Sequence, residues 1–318
     1  MSSSGSHMIQ TTRLGGSLRT AAHFAAVRMA NAVIRGMGLR PLLNPALSLI
    51  GACFGNEGKL LLRVDDVTLE IPLSDAYWVA AGMDGSYEAE IFRFAEGLDD
   101  RPTLFIDGGA NIGWWSLLAE KRWGWTSVAI EASSALAARI EQSRSSNGAS
   151  FTILHNALWR SSGERLTFRT GRQAHAGGHL GSVAGFVGNW RLEASEEVST
   201  VTVDSIVSNS TSQKRFERIV IKLDVEGAER EAIEGAQNAV AHGALLIYED
   251  HGSDRASSVT AALFDMGLSI YGLERVRRMH TLDDVVRTKA NRRQGYNFLA
   301  VNPRCAGATE INQIATGR

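Results

Sequence analysis

The sequence predicts an α/β fold in which parallel strands alternate with helices, and three observations predict it. Four short apolar runs, residues 103–106, 127–130, 218–223 and 244–248, are built from strand-forming side chains. Each run ends on an acid, at Asp107, Glu131, Asp224 and Glu249, and is followed by turn residues. Stretches of helical length and spacing lie between the runs. Open α/β sheets bind ligands beyond the carboxyl ends of their strands, so this pattern collects carboxylates where a ligand would sit.

The unit from residue 103 to residue 131 organises the rest. Its first strand runs into Asp107-Gly108-Gly109-Ala110-Asn111-Ile112-Gly113, residues 114–121 supply a helix, and a second strand delivers Glu131 about 20 residues past the turn. An acid there can hydrogen-bond both ribose hydroxyls of a nucleoside. Gly109 and Gly113 allow positive φ in the turn and let a ligand press against backbone N–H groups at a helix start. The glycine spacing is Gly-x-Asn-x-Gly and not Gly-x-Gly-x-x-Gly, which favours S-adenosylmethionine over a nicotinamide dinucleotide.

Composition narrows the partners. Lys+Arg 33 against Asp+Glu 34 gives a formal net charge of −1, so no global basic field recruits nucleic acid or an anionic membrane; only a local patch could. Cys53 and Cys305 lie far apart, with no paired-cysteine or histidine cluster, which argues for a reducing, cytoplasmic compartment and against a zinc site. No run of about 18 uncharged apolar residues is present to span a bilayer.

Residues 1–8 look like an expression-tag remnant and are left out of fold reasoning. Residues 9–85 form an N-terminal extension. Within it, residues 18–39 have helical apolar spacing interrupted by Arg19, Arg28 and Arg35, an amphipathic helix that packs on the main domain or serves a membrane surface or partner. Residues 60–71 read as a hairpin around Asp65-Asp66. A catalytic domain follows over residues 86–303, opening on a helix at residues 87–94. Its Glu88 and Glu90 either favour the helix dipole or reach a ligand's amino group.

Beyond Glu131, residues 134–145 form a helix and residues 151–155 a strand, whose end carries Asn156, either a turn residue or a reader of an adenine edge. Residues 171–190, with His175, His179 and Trp190, break the α/β rhythm and read as an acceptor-side lid. Residues 197–206 alternate as a strand ending at Asp204. A helix spans residues 229–240, and residues 269–273 and 296–301 are the last two strands. The arginine-rich segment 275–293 between them is a solvated surface or faces an anionic acceptor. Residues 304–318 are expected to be a flexible tail.

Taken together, Phe105-Ile106-Asp107-Gly108-Gly109-Ala110-Asn111-Ile112-Gly113, Ala129-Ile130-Glu131, Val201-Thr202-Val203-Asp204-Ser205-Ile206 and Ile221-Lys222-Leu223-Asp224-Val225-Glu226-Gly227-Ala228-Glu229 resemble the FkbM family of S-adenosylmethionine-dependent methyltransferases. The resemblance covers roughly residues 86–301. It implies a Rossmann-like, seven-stranded class I methyltransferase sheet with helices on both faces, and an acceptor hydroxyl on a small molecule, sugar or polyketide-type product. Gly108 departs from the β-branched residue common in the family, which implies looser strand packing. Ala132-Ser133 replaces the usual Pro-Asn on the adenine side.

The expected cofactor set is Glu88, Asp107, Gly109, Ala110, Asn111, Gly113, Glu131, Ala132, Asn156 and Asp224. On the acceptor side His251 is expected as general base, since its ordinary pKa lies near neutrality, with Asp224 positioning cofactor or acceptor. Asp224, Glu249 and His251 are the alternative set for a divalent cation, which is not expected; Asp224 and Glu226 could instead cap the next helix. Two other functions stay open: a non-catalytic nucleoside-binding partner subunit, which the motifs alone do not distinguish, and a nicotinamide-dependent oxidoreductase, which the glycine spacing disfavours. A homodimer is the assembly kept open.

Overall fold

A computed structural model describes residues 9–15, 17–39, 42–54, 58–85, 87–171, 179–180, 192–251, 254–290 and 296–316. The chain divides into two units, residues 1–89 with 145–148, and residues 90–144 with 149–318.

The first unit begins with β1 (Gln10–Leu14), α1 (Leu18–Gly36) and α2 (Leu43–Phe54), then β2 (Lys59–Val64), β3 (Val67–Pro72) and α3 (Ala76–Asp84). Alternation places Leu60, Leu62, Leu69 and Ile71 on one buried face, and the β2–β3 hairpin closes at Asp65, which takes φ +50. The hairpin is as expected. A third strand, β1, pairs antiparallel with β2 and was not legible in the sequence. Ser17 caps α1 by accepting from the Thr20 amide at 3.0 Å, and Asp75 caps α3 by accepting from the Trp78 amide at 3.3 Å.

In the second unit the chain runs α4 (Ala89–Glu96), β4 (Thr103–Gly108), α5 (Trp114–Lys121), β5 (Thr126–Glu131), α6 (Ser134–Ser146), β6 (Thr152–His155), β7 (Ala157–Leu158), β8 (Arg165–Gly171), β9 (His179–Leu180) and β10 (Leu192–Val201). It continues through α7 (Val203–Gln213), β11 (Arg218–Leu223), α8 (Glu229–Glu234), α9 (Gln237–Ala241), β12 (Leu245–Glu249), α10 (Ser258–Asp265), β13 (Ser269–Gly272), β14 (Arg277–Met279), α11 (Leu282–Ala290), β15 (Asn297–Val301) and α12 (Ala306–Thr316). The central sheet has the order β14-β13-β15-β12-β11-β4-β5-β6. Strands β12, β11, β4, β5 and β6 are parallel, and β13, β14 and β15 join antiparallel. Strand order reverses at β4, which lies between β5 and β11, so the crevice of this α/β sheet opens there.

Several expectations are corrected. Among the described residues the sheet has eight strands and not seven, because β14 adds an edge strand beside β13. The strand expected over residues 197–206 ends at Val201; Thr202 accepts from the Ser205 amide at 3.1 Å and starts α7. Asp204 thereby leaves the strand ends, and its carboxylate caps α9 by accepting from the Asn238 and Ala239 amides at 3.0 and 2.9 Å. The single helix expected over residues 229–240 divides at Gly235, where a Cβ would lie 2.2 Å from the Trp159 carbonyl oxygen. The segment from residue 306 is helix α12 and not a flexible tail. Ile311 is fully buried, and Glu310 pairs with the Arg218 guanidinium.

Gly108 is also corrected. A Cβ there would fall 2.4 Å from Leu158 Cδ1, so a leucine from β7 fills the space a β-branched residue would take, and packing is not loosened.

Candidate functional site

Parallel registration aligns the acids. Asp107 sits opposite Lys222 on one side and Ala129 on the other, Glu131 opposite His155, and Leu223 opposite Tyr248. Asp107, Glu131, Asp224 and Glu249 therefore come to the same edge of the sheet, as the sequence pattern requires.

Asp107 is almost completely buried. Its Oδ2 accepts from the amide and hydroxyl of Ser116 at 3.0 and 2.7 Å, which ties the strand end to α5, while its Oδ1 is buried without a partner. Burial pushes its carboxyl pKa up, against the opposing pull of the Lys222 ammonium. Lys222 is itself buried and donates to Asp224 Oδ2 at 3.1 Å. A lysine inside an otherwise apolar strand was the signal for it.

The turn is shaped by left-handed residues: Gly109 at φ +75, Asn111 at φ +55 and Gly113 at φ +82. At Gly109 a Cβ would lie 1.9 Å from the Asp224 carbonyl oxygen. The neighbouring turn after β11 by itself requires glycine here. The amides of Gly109 and Ala110 both donate to the Ile130 carbonyl at 3.0 Å, which docks the turn on β5.

Glu131 completes the docking. Its Oε2 accepts from the Asn111 amide and its Oε1 from the Ser133 amide, each at 2.9 Å. Burial raises its pKa to about 7, opposed by the amides of Ser133, Asn111 and Ala132. Asn156 lies at the end of β6 and donates from Nδ2 to the Ser199 carbonyl at 2.9 Å, so its amide is oriented by β10.

Glu229 is the residue whose role sequence reasoning missed. It closes the stretch 221–229, in which sequence reasoning weighs only Asp224 and Glu226 as caps. Its carboxylate is buried and accepts from the Val225 amide at 3.1 Å and the Gly227 amide at 3.0 Å, which holds the turn after β11; burial raises its pKa to about 7.

His251, expected as general base, is exposed, with its ring 6.0 Å from that of Tyr296. The preceding Asp250 is fully buried and pairs with Lys289, which also donates to the Asp254 carbonyl at 2.6 Å and Ser257 Oγ at 3.0 Å. Lys289 thus fastens both ends of the segment that carries His251. It lies in the arginine-rich stretch expected to be a solvated surface or to face an anionic acceptor; Arg275, Arg277, Arg278 and Arg287 are exposed there, but Lys289 is buried. Among the described residues no group of three His, Cys, Asp or Glu side chains comes together to hold a metal, so Asp224, Glu249 and His251 do not form the alternative ligand set.

Of the remaining candidates, Glu90 accepts from Asn297 Nδ2 at 2.9 Å, and Glu88 belongs to the first unit with φ +44. His175, Trp190, Arg292 and Arg293 lie outside the described residues, and His179 opens β9.

S-adenosylmethionine carries a cationic sulfur and a cationic ammonium group. The edge fits such a ligand in charge and in reserve hydrogen-bonding capacity, because Asp107 Oδ1 is a buried acceptor without a partner.

Solved structures that the chain matches include a Pyrococcus abyssi tRNA (uracil-54, C5)-methyltransferase in complex with S-adenosyl-L-homocysteine. It is 10% identical, with a TM-score of 0.38 over 76% of this chain and 43% of that one. An rRNA methylase from Streptococcus thermophilus is 12% identical, with a TM-score of 0.32 over 67% and 91%. The N-terminal domain of human METTL16, in complex with S-adenosylhomocysteine, is 10% identical, with a TM-score of 0.30 over 57% and 58%. The chain spans under half the length of the Pyrococcus enzyme. No curated protein matches it. The model of the methyltransferase FkbM domain matches residues 107–298, from the Asp107 turn to β15. With more than half its length matched, and with the turn and strand-end acids in place, the chain belongs to the FkbM methyltransferase domain family.

Proposed function

We propose that this protein is an O-methyltransferase that moves the methyl group of S-adenosylmethionine to a hydroxyl of a small molecule, sugar or polyketide-type product. The observation that carries the reading is the row of carboxylates at the switch of strand order, with the unpartnered Asp107 Oδ1 among them. S-adenosylmethionine supplies an electrophilic methyl group on a positively charged sulfur. Asp107 and Asp224 supply negative potential to that end, and the Gly109–Gly113 turn shapes the wall beside it. Glu131 accepts from the ribose hydroxyls through lone pairs its two amide contacts leave over. Asn156, oriented by Ser199, offers Oδ1 to an adenine amino group. His251 takes the proton of the acceptor hydroxyl, a role its exposure at the β12 end permits. Transfer itself needs mainly in-line placement of acceptor oxygen and methyl carbon.

The test is methyl transfer from labelled S-adenosylmethionine into pools of glycosides, sugars and polyketide-type alcohols, with tRNA and rRNA in parallel. Label in a hydroxylated small molecule, with loss of transfer in His251→Ala, is the expected result. Label found in RNA alone would overturn the acceptor class. Failure to bind S-adenosylhomocysteine at millimolar concentration, with the fold intact, would overturn the reading as a whole.

A further inference from the structure

Asp107, Glu131, Asp224 and Glu229 are coupled to one another where the strand order reverses. Burial pushes the carboxyls of Asp107, Glu131 and Glu229 up, and each is pushed further by a neighbouring acid: Asp107 and Glu229 by Asp224, and Glu131 by Asp107. Carboxylates that share a buried site cannot all stay ionised without a counter-charge. Lys222 provides one. It is the register partner of Asp107 across the parallel β4–β11 pair, so the two residues stand on the same face of the sheet. Its Nζ donates to Asp224 Oδ2 at 3.1 Å. Among the groups around Asp107, which are Lys222 and Asp224 from the β11 side, Ser116 from α5 and Glu131 from β5, the Lys222 ammonium pulls the Asp107 carboxyl down most, ahead of the two Ser116 contacts.

Packing alone gives no reason for a cation at this position. The strand neighbours Ile221 and Leu223 are buried, as is Ile247, its register partner on β12. Methionine would fill such a place without the cost of stripping water from a charge. The accessible end of the group is its acids: the Asp224 side chain is 23% exposed against 3% for Lys222, and Asp107 keeps Oδ1 without a partner. We infer that Lys222 is a positioning residue for the cofactor, its ammonium holding Asp107 and Asp224 as a pair of anions at the adjoining ends of β4 and β11 for the cationic end of S-adenosylmethionine. This role rests on the proposed placement of that cofactor and adds how the sheet edge keeps its charge before the cofactor arrives.

Carbon-13 NMR of the full chain labelled at aspartate carboxyls reads the charge with no ligand present, the Asp107 signal being assigned by its loss in Asp107→Asn. In the wild type this carboxyl should be ionised at pH 7, and in Lys222→Met its midpoint should rise by about 1–3 pH units. Calorimetry with S-adenosylmethionine, in buffers of different ionisation enthalpy, reads the consequence. Below the shifted midpoint the variant should bind about tenfold more weakly than the wild type and release up to about one proton more, because the cofactor must drive that proton off Asp107. A lysine that served packing only would change the melting temperature and leave the proton count alone. A wild-type Asp107 that is protonated at pH 7 overturns the inference, and this measurement does not depend on the variant folding. Unchanged affinity and proton count in a folded Lys222→Met overturn it too, and leave the proposed function standing. A folded wild type that binds no S-adenosylmethionine overturns both.

Discussion

Glu131 serves the fold as it stands, and under the proposed function it serves the ligand as well. Its two oxygens draw the glycine turn and the start of α6 toward the end of β5, and its burial lifts its pKa to about 7. Only the ionised form keeps every lone pair available for ribose hydroxyls, so affinity for S-adenosylhomocysteine should rise with pH through about 7 and level off above it. In Glu131→Gln a charged acceptor becomes a neutral one. Calorimetric titration of the variant should show binding weaker by about 1.5–3 kcal/mol and no longer dependent on pH in that range. An unchanged dissociation constant would mean that the ribose lies at another strand end.

Among the elements, α11 matters most to the segment that carries His251. It contributes Lys289, whose ammonium enters a buried cluster with Asp250, Ser257 and the Asp254 carbonyl; Asp250 also accepts from Thr260, whose hydroxyl lies 2.9 Å from that of Tyr248. Removing the cation leaves Asp250 charged and enclosed. Lys289→Met should therefore cost about 3–5 kcal/mol in a denaturant titration, whereas the double variant Lys289→Met, Asp250→Asn should recover much of the loss. A cost below about 1 kcal/mol for the single variant would show that water reaches the pair.

For the whole molecule, two buried glutamates set the sign of the pH dependence near neutrality. Glu131 and Glu229 both have pKa values raised from 4.5 to about 7 in the folded protein. Between those values the native state binds more protons than the unfolded chain, so their contribution to stability is full below about 4.5 and is lost as pH rises through about 7. The thermal midpoint should fall between pH 5 and pH 8 by differential scanning calorimetry, and the fall should flatten in Glu131→Gln, Glu229→Gln. A midpoint that rises over this interval would show that other groups dominate.

The architecture of the second unit and the alignment of its strand-end acids were readable from the chain itself. Apolar runs ending on acids, with glycine turns between, have few solutions other than parallel strands sharing one ligand-facing edge, and Asp107, Glu131 and Asp224 all lie on it. The β2–β3 hairpin and α1 were equally local, being written in alternation and in helical spacing. What the chain could not show was anything settled by distant partners. Gly109 was legible as a turn glycine, and only the fold reveals the Asp224 carbonyl that a Cβ there would meet. Asp204 looked like a strand-end acid, but Thr202 starts a helix and sends its carboxylate to α9. Glu229, Lys222 and Lys289 acquired roles only through burial, because an ionisable side chain inside the protein must find a partner, and its partner is chosen by packing and not by sequence neighbourhood. Local pattern determined the strands, turns and sheet edge; tertiary packing decided which charges that edge exposes, because desolvation acts only once the chain has closed over them.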